Sequence, residues 1–529
     1  MMREATRPPQ VGDRRMQAVF SVLLVALTVL AVRLILLGYY GSVVPFWDQW
    51  DAEAAGLFKP YIEGNLPLSN LIAPHNEHRI LTTRLLALGL FELRGAWDPI
   101  LEMIVNTIIF SGFAGWFSWL IGRGLPIMER WALTVFCAAL FAVPLGWQNL
   151  LQGFQVQFYF LLIFSTLALC GFANAIGLSL RWWGSGLAAV AAFFSLASGA
   201  LVVPAVLVLS IVQLVLGVRQ RSFREVAAIL LLVVTSAIML LSVPTIPSDA
   251  GLKAQSIGQW IWGLIILGSY PSLRVAGLIG IHFPLLIFTW RMLRRSPSLG
   301  ARGWFVVGLG IWLAAQMASI AYGRAVGILA SRYFDIVLIG LPLNYVALRL
   351  LLCEANAKSG QRWWTRLSAV WLIVAATGVA WWAFDDMAPA IMSEGVIGAT
   401  EQQNTVAFLK TGDIGTLENK PHQTDIPYPD PKRLAMLLSD PTIRAILPDQ
   451  IRPADADTAV VRSKLLLKGG FGTRTIAAEQ STFWLARILL GVAAAGWLFA
   501  LTRVVQRPPA AAEGWVEITE PASSSPAGS

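Results

Sequence analysis

Apolar stretches of about 20 residues recur along this chain, and they constrain its fold more than any other feature. Each is long enough to cross a bilayer as a helix, the form that satisfies its own backbone hydrogen bonds in lipid. Of the 529 residues, 56% are hydrophobic and 13% are charged, whereas soluble domains carry about 25% charged residues. The sequence therefore predicts an all-α polytopic membrane protein.

Hydropathy predicts about twelve spanning helices. The apolar run from Gly186 to Val218 is interrupted by the break Ser195–Gly199, and we interpret it as two short helices joined by a turn. The exact helix count is open over residues 186–218 and 252–293. The clearest spans are predicted to begin near Gln17, Ile100, Trp131, Phe154, Val226, Val275, Trp304, Phe334, Ala369 and Phe483.

Lysine and arginine concentrate in one set of short loops, for example at Arg123, Arg130 and Arg181. Because basic loops stay in the cytoplasm, the pattern predicts a multi-pass protein of the inner (plasma) membrane with both termini cytoplasmic. The net charge of +9 is spread over many helix ends rather than gathered on one face or arm. This distribution argues against nucleic acid as a partner.

The chain divides into four predicted regions. Residues 1–384 form a transmembrane domain, in which the first outward loop covers 42–98 and carries helices that lie on the membrane. Residues 385–480 are rich in Pro, Asp and Lys and form a small outward soluble segment of unassigned fold. Residues 481–506 form the last spanning helix, and the Pro-, Ala- and Ser-rich residues 507–529 form a disordered cytoplasmic tail.

The most informative stretch directly follows the first span and carries three carboxylates, Asp48, Asp51 and Glu53. One interpretation is the start of an interfacial helix that Asp48 or Asp51 caps. The other is a catalytic site, because a carboxylate held between bilayer and water can have a raised pKa and act as a general base.

A second polar cluster comprises His75, Glu77, His78 and Arg79. It is either a polar loop whose Arg79 begins the next helix, or a group that folds back beside Asp48 to orient a substrate. His75, Glu77 and His78 are also metal-ligand types, but their spacing is not specific to a metal site. The sequence thus predicts no certain cofactor and leaves a divalent metal ion open.

Two arginines, Arg324 and Arg332, lie in a short outward loop together with Tyr333, against the usual charge bias. They are balanced either by an outward acid or lipid headgroup, or by a bound phosphate, which arginine contacts well. A further polar break contains Gln148, Asn149, Gln152 and Gln155, which line an outward cavity or bond helix to helix.

The order of these features resembles the GT-C class of polytopic glycosyltransferases, which includes protein O-mannosyltransferases and lipid A aminoarabinose transferases. The layout is closest to uncharacterised bacterial members. Asp48-Gln49 stands where that class has an acidic pair after the first span, and the stretches 75–79 and 85–97 match its second motif and amphipathic segment. The likeness covers roughly the first 220 residues. It departs at Gln49, where Glu is common, although Asp51 or Glu53 could supply the second acid.

The resemblance implies transfer of a sugar from a polyprenyl-phosphate-linked donor to an acceptor hydroxyl on the outer face. The acceptor would be a cell-envelope glycan, lipid or protein, and membrane lipids would be further partners. Asp48 would act as the general base, and Arg324 or Arg332 would stabilise the leaving phosphate. Two other functions stay open, a transporter or flippase for a lipid-linked saccharide and a non-catalytic membrane subunit.

Overall fold

A computed structural model describes residues 11–272, 275–355 and 361–505; the predicted tail 507–529 lies outside them. Within these ranges nine helices are long and apolar enough to cross a membrane. The chain is therefore an all-α polytopic membrane protein, while the expected count of about twelve spans is not confirmed. The nine run over Arg15–Tyr40, Pro99–Gly122, Gly153–Phe172, Ala197–Val215, Phe223–Leu241, Gly303–Gly323, Ser331–Leu352, Trp363–Thr411 and Phe471–Thr502.

Three further spans expected from hydropathy are helices that fall outside the nine. Ile127–Ala142 has 16 residues and Leu180–Phe193 has 14, so both are short for a full crossing. Val275–Arg295 has 21 residues but contains Pro284 and ends in two arginines. The other helices run over Trp50–Phe58 (a π-helix), Lys59–Ile62, Leu68–Ile72, Leu81–Arg94, Trp147–Leu151, Ile257–Ser269, Pro431–Ser439, Pro441–Ile446 and Thr458–Lys464.

The run from residue 186 to residue 218 consists of two helices joined by a turn, as predicted. The first ends at Phe193, and a 3₁₀ turn over Ala197–Leu201 leads into the second, Val202–Val215. Gly199 permits this turn, because a Cβ atom there would lie 2.1 Å from the Ala192 carbonyl oxygen.

The first loop and the polar C-terminal segment share one hydrophobic core, although more than 300 residues separate them along the chain. We call this unit, residues 44–97 and 406–465, the composite domain. The rings of Phe58 and Phe91 stack at 4.6 Å, and those of Trp50 and Trp97 meet edge to face at 5.1 Å. Each buried aromatic ring contributes about 2 kcal/mol of apolar burial. The C-terminal segment adds Phe408, Leu417, Leu434, Leu438 and Ile446.

Helices continue across both predicted edges of the polar segment 385–480. A π-helical stretch, Ala383–Met387, joins Gln361–Trp382 to Ala388–Thr411. At the other edge, the last helix, Phe471–Val505, begins before residue 480. The irregular part of the segment is therefore shorter than the sequence suggested.

Four connecting segments meet at the end of the bundle that carries the composite domain. Hydrogen bonds join Thr82 to Ser195 at 2.9 Å and the backbone N–H of Gln148 to the Ser331 hydroxyl at 3.2 Å. The first bond joins the first loop to the turn after Phe193, and the second joins the break before Gly153 to the loop before Phe334. The ring contact between His75 and Phe154 links the two pairs. The candidate site lies at this meeting point.

Candidate functional site

Asp48 lies on a tight turn that is fixed on both sides. Trp47 adopts a φ of 45°, a conformation that side-chain-bearing residues seldom take. The Phe46 N–H donates to Gln49 Oε1 at 3.0 Å, and the Trp47 N–H donates to the Pro427 carbonyl at 2.7 Å. The turn is thus held both by its own residues and by the C-terminal part of the composite domain, while the Asp48 side chain remains 50% exposed.

A two-stranded hairpin brings both histidines of the second cluster to this turn. Pro74–His75 pairs with His78–Arg79, and His75 is directly opposite His78. His75 Nε2 lies 3.4 Å from Asp48 Oδ1, and its ring meets that of Phe154 edge to face. The Ala197 N–H donates to His78 Nδ1 at 3.4 Å, which leaves the proton of a neutral imidazole on Nε2. The cluster therefore folds back beside Asp48.

Arg324 is held by acidic side chains. It forms two hydrogen bonds with Glu77, one of them at 3.1 Å, and lies 3.4 Å from Asp249. Both Arg324 and Glu77 are largely buried, so the pair locks the tip of the hairpin to the end of the helix Gly303–Gly323. This contact corresponds to the outward-acid interpretation of Arg324.

Arg332 is held by its backbone, not by its side chain. Its N–H donates to Gln148 Oε1 at 3.3 Å, and its carbonyl accepts from Asn149 Nδ2 at 2.9 Å. The guanidinium lies 5.5 Å from the ring of the buried Tyr333 and forms no salt bridge with any residue that the structure describes. A half-buried, unpaired guanidinium of this kind is suited to binding an anion.

The pKa of Asp48 is lowered, so the expectation of a raised pKa is wrong for this residue. Desolvation by the surrounding protein is the largest influence and opposes ionisation, even though half of the side chain is exposed. The hydrogen-bonding contact with His75 and the electrostatic interactions with His75, Arg332 and His78 together outweigh it. Asp48 is therefore an anion at neutral pH, available to accept a proton without first losing one.

The pKa of His78 is lowered to about 4. Burial is the main cause, and the charge of Arg324 adds to it more than the opposing charge of Asp48 removes. Lesser contributions in the same direction come from His75 and Arg332. The site consequently combines an ionised carboxylate with a neutral imidazole that can donate from Nε2.

The other two acids of the first motif lie apart from this arrangement. The Tyr428 hydroxyl and Arg433 donate to Asp51, the arginine at 2.8 Å, which joins the two halves of the composite domain. Glu53 is 1% exposed and accepts hydrogen bonds from Gln49 at 2.9 Å and Trp97 at 3.0 Å. Burial raises the pKa of Glu53 to about 7. Their predicted catalytic roles remain predictions.

Arg79 also makes a contact outside the cluster. Its guanidinium donates to the Ile72 carbonyl at 3.0 Å, and Arg84 donates to the Ala73 carbonyl at 2.6 Å. These bonds hold the strand that leads to His75. Nothing in the described contacts of Arg79 links it to Asp48, and its predicted role in substrate binding remains a prediction.

Buried acids inside the spans support the site and were not singled out from the sequence. Arg33 pairs with Asp335 at 3.4 Å, both 1% exposed, and also donates to Tyr159 and the Phe141 carbonyl. Asn149 Nδ2 reaches Asp335 at 2.9 Å and so links this pair to the Arg332 turn. The sequence feature that could have identified these residues is a lone acidic residue within an apolar span.

Glu102 is the second such acid, at the start of the helix Pro99–Gly122. It accepts from Gln49 Nε2 at 2.8 Å, opposite Glu53.

Among the described residues no group of three or more His, Cys, Asp or Glu side chains is arranged to hold a metal ion. In the described part of the chain, Asp48 and His75 therefore provide two donors of a type that suits a metal ion, without a third beside them.

At one end of a membrane-spanning bundle, the site thus combines an ionised carboxylate, a neutral imidazole and an arginine that forms no salt bridge with the described residues. In comparisons with known proteins, no family model, no curated protein and no solved structure matches this chain.

Proposed function

We propose that this protein is a GT-C-type glycosyltransferase that moves a sugar from a polyprenyl-phosphate donor to an acceptor hydroxyl. One observation carries the proposal: the anionic Asp48 lies within electrostatic reach of Arg332, a guanidinium without a salt-bridge partner in the described chain. The reaction needs one group that accepts a proton and one that holds a phosphate. This pair supplies both at the end of the first span.

The acceptor oxygen attacks the anomeric carbon while its proton passes to the Asp48 carboxylate, a transfer that contributes about 10²- to 10⁴-fold to the rate. The bond from the anomeric carbon to the phosphate oxygen breaks, and its electron pair leaves with the polyprenyl phosphate. Arg332 neutralises that departing charge. Asp48 then returns its proton to water and is again ionised, as its lowered pKa favours.

Arg332 is better suited than Arg324 to bind the phosphate. The charge of Arg324 is already balanced by Glu77 and Asp249, and moving Arg324 to a phosphate would break its ion pair with the largely buried Glu77. Arg324 therefore holds the hairpin, and through it the position of His78. The neutral His78 is suited to donate a hydrogen bond to a sugar or phosphate oxygen.

The placement in the cell follows from the loop charges. With the arginine-rich loops in the cytoplasm, the composite domain and Asp48 would face the outer side of the inner (plasma) membrane. The turn that carries Asp48 also contacts Pro427 of the composite domain. A cell-envelope glycan, lipid or protein acceptor bound there would present its hydroxyl next to the base.

A flippase of lipid-linked saccharides is the second candidate, because Arg33 and Asp335 form an ion pair within spanning helices. Transporters use such intramembrane charges along their substrate path. Here, however, Arg33 is 1% exposed, donates a hydrogen bond from each of its three guanidinium nitrogens and lies 3.9 Å from the centre of the Phe110 ring. These contacts favour a supporting role for the pair.

An assay in proteoliposomes separates the candidates. The purified protein is given a short-chain polyprenyl-phosphate sugar and a panel of envelope acceptors, and free polyprenyl phosphate, glycosylated acceptor and donor orientation are measured. A transferase releases polyprenyl phosphate in step with acceptor glycosylation. Donor movement without bond breakage would favour the flippase, and neither activity would favour a non-catalytic subunit. Asp413→Asn is a matched control, because Asp413 is an exposed aspartate of the same domain that only caps a turn at Gly415.

A further inference from the structure

Gln49 joins the turn that carries Asp48 to two buried carboxylates. It is 1% exposed, and its Nε2 lies 2.9 Å from Glu53 Oε2 and 2.8 Å from Glu102 Oε2. Its Oε1 accepts the Phe46 N–H at 3.0 Å, which closes the Asp48 turn. One amide therefore uses both of its N–H groups on the acids and its oxygen on the turn.

The two carboxylates have no positive partner in the part of the chain that the structure describes. Glu53 is 1% and Glu102 5% exposed, and neither forms a salt bridge within the described residues. Asp98, which caps the start of the helix that carries Glu102, is also acidic and is itself paired with Arg94 at 2.7 Å. The remaining donor is the Trp97 indole, at 3.0 Å from Glu53. Two adjacent buried anions without a counter-ion are strongly unfavourable, and such pairs retain a proton.

We propose that Glu53 and Glu102 hold one proton between them and that Gln49, bridging the pair, is the positioning residue for Asp48. The positioning part rests on the proposed function, because it assigns Asp48 as the base. The shared proton stands on the geometry of the cluster alone.

The arrangement accounts for glutamine at position 49, where the resembling class commonly has glutamate. A glutamate there would add a third carboxylate and remove both N–H donors. Gly153 closes the cluster, because a Cβ atom at this position would lie 2.3 Å from Glu102 Oε2 and 3.1 Å from Gln49 Nε2. Position 153 therefore has no room for a side chain beside the cluster. The Gln49 amide can donate to both carboxylates in one orientation, with its nitrogen facing them and its oxygen facing Phe46.

Infrared difference spectroscopy at neutral pH tests the shared proton without any substrate. We expect the spectrum of the wild type minus that of Glu53→Gln/Glu102→Gln to contain a protonated-carboxyl band that shifts in D₂O. A difference spectrum without that band would overturn the shared proton. The double variant keeps the size of both side chains and replaces both carboxyl groups by neutral amides, so it is expected to remain folded.

Kinetics test the positioning. We expect Gln49→Glu to lower kcat about 100-fold with little change in the KM for donor, since a misplacement of about 1 Å costs that much. The exchange variant Gln49→Glu/Glu102→Gln restores one amide and two acids to the cluster. We expect its kcat to be at least about tenfold higher than that of Gln49→Glu. Gln213→Glu is the matched control, because Gln213 is fully buried but bonds to Ala173 and Arg219 instead.

Wild-type kcat in Gln49→Glu, or no recovery in the exchange variant, would overturn the positioning role. A loss that merely follows a lower folded fraction, measured by size-exclusion chromatography, would overturn it too. An inactive wild type would remove the proposed function, while the infrared result would still decide for or against the shared proton.

Discussion

Replacement of His78 by Asn tests whether this histidine is enclosed as neutral imidazole. The pKa of His78 falls from an ordinary 6.5 to about 4, chiefly through burial and then through the charge of Arg324. His75 and Arg332 act in the same direction, and Asp48 opposes them. Asparagine retains an oxygen that can accept the Ala197 N–H, so the main contact of the ring is preserved.

The direction in which stability changes with pH depends on whether the folded or the unfolded chain binds the His78 proton more readily. As the pH falls below 6.5, the unfolded chain protonates His78 while the folded chain does so only near pH 4. The stability from this group is therefore complete above pH 6.5 and is lost as the pH falls towards 4. The whole difference corresponds to about 3 kcal/mol, of which about 2 kcal/mol falls between pH 7 and pH 5. Because the His78 side chain is partly exposed, both free-energy values are upper values.

Thermal unfolding in detergent at pH 7, 6 and 5 measures the effect. We expect the wild type to lose more stability between pH 7 and pH 5 than His78→Asn, by up to about 2 kcal/mol. The difference between the two proteins removes the contribution of every other titrating group. Identical pH dependence in both would refute the enclosed, neutral His78.

Three further substitutions test other parts of the site. We expect Arg332→Gln to lower kcat by about 10²- to 10³-fold, with partial recovery in Arg332→Lys, as measured in the transfer assay. Asp51→Asn should retain transfer and lose only about 0.5–1 kcal/mol of unfolding free energy, because its pair with Arg433 is partly exposed. Loss of transfer in this variant would support a catalytic role for Asp51. Glu77→Gln should cost about 2 kcal/mol in thermal unfolding, because among the described residues it leaves Asp249 as the one anionic partner of Arg324.

Local patterns in the sequence predicted the parts of the fold that depend on nearby residues. The spanning helices follow from the length of the apolar stretches, and the Ser195–Gly199 break correctly predicted a turn between two helices. The interpretation that the 75–79 cluster folds back beside Asp48 matches the observed 3.4 Å approach of His75.

Contacts between distant segments could not be predicted in this way. Asp51 was grouped with Asp48 because they are three residues apart, yet its partner, Arg433, is 382 residues away in the sequence. Likewise, Arg33 and Asp335 are 302 residues apart, so no local pattern pairs them. The lowered pKa of Asp48 has the same origin, since part of the charge that outweighs burial comes from Arg332.

The most direct test of the account is the transfer rate of Asp48→Asn in proteoliposomes, with Asp413→Asn as control. Asparagine keeps the shape of the side chain but cannot accept the proton of an acceptor hydroxyl. We expect transfer to fall at least about 100-fold while the variant inserts and unfolds thermally like the wild type. Wild-type transfer in Asp48→Asn would contradict the assignment of this carboxylate as the base.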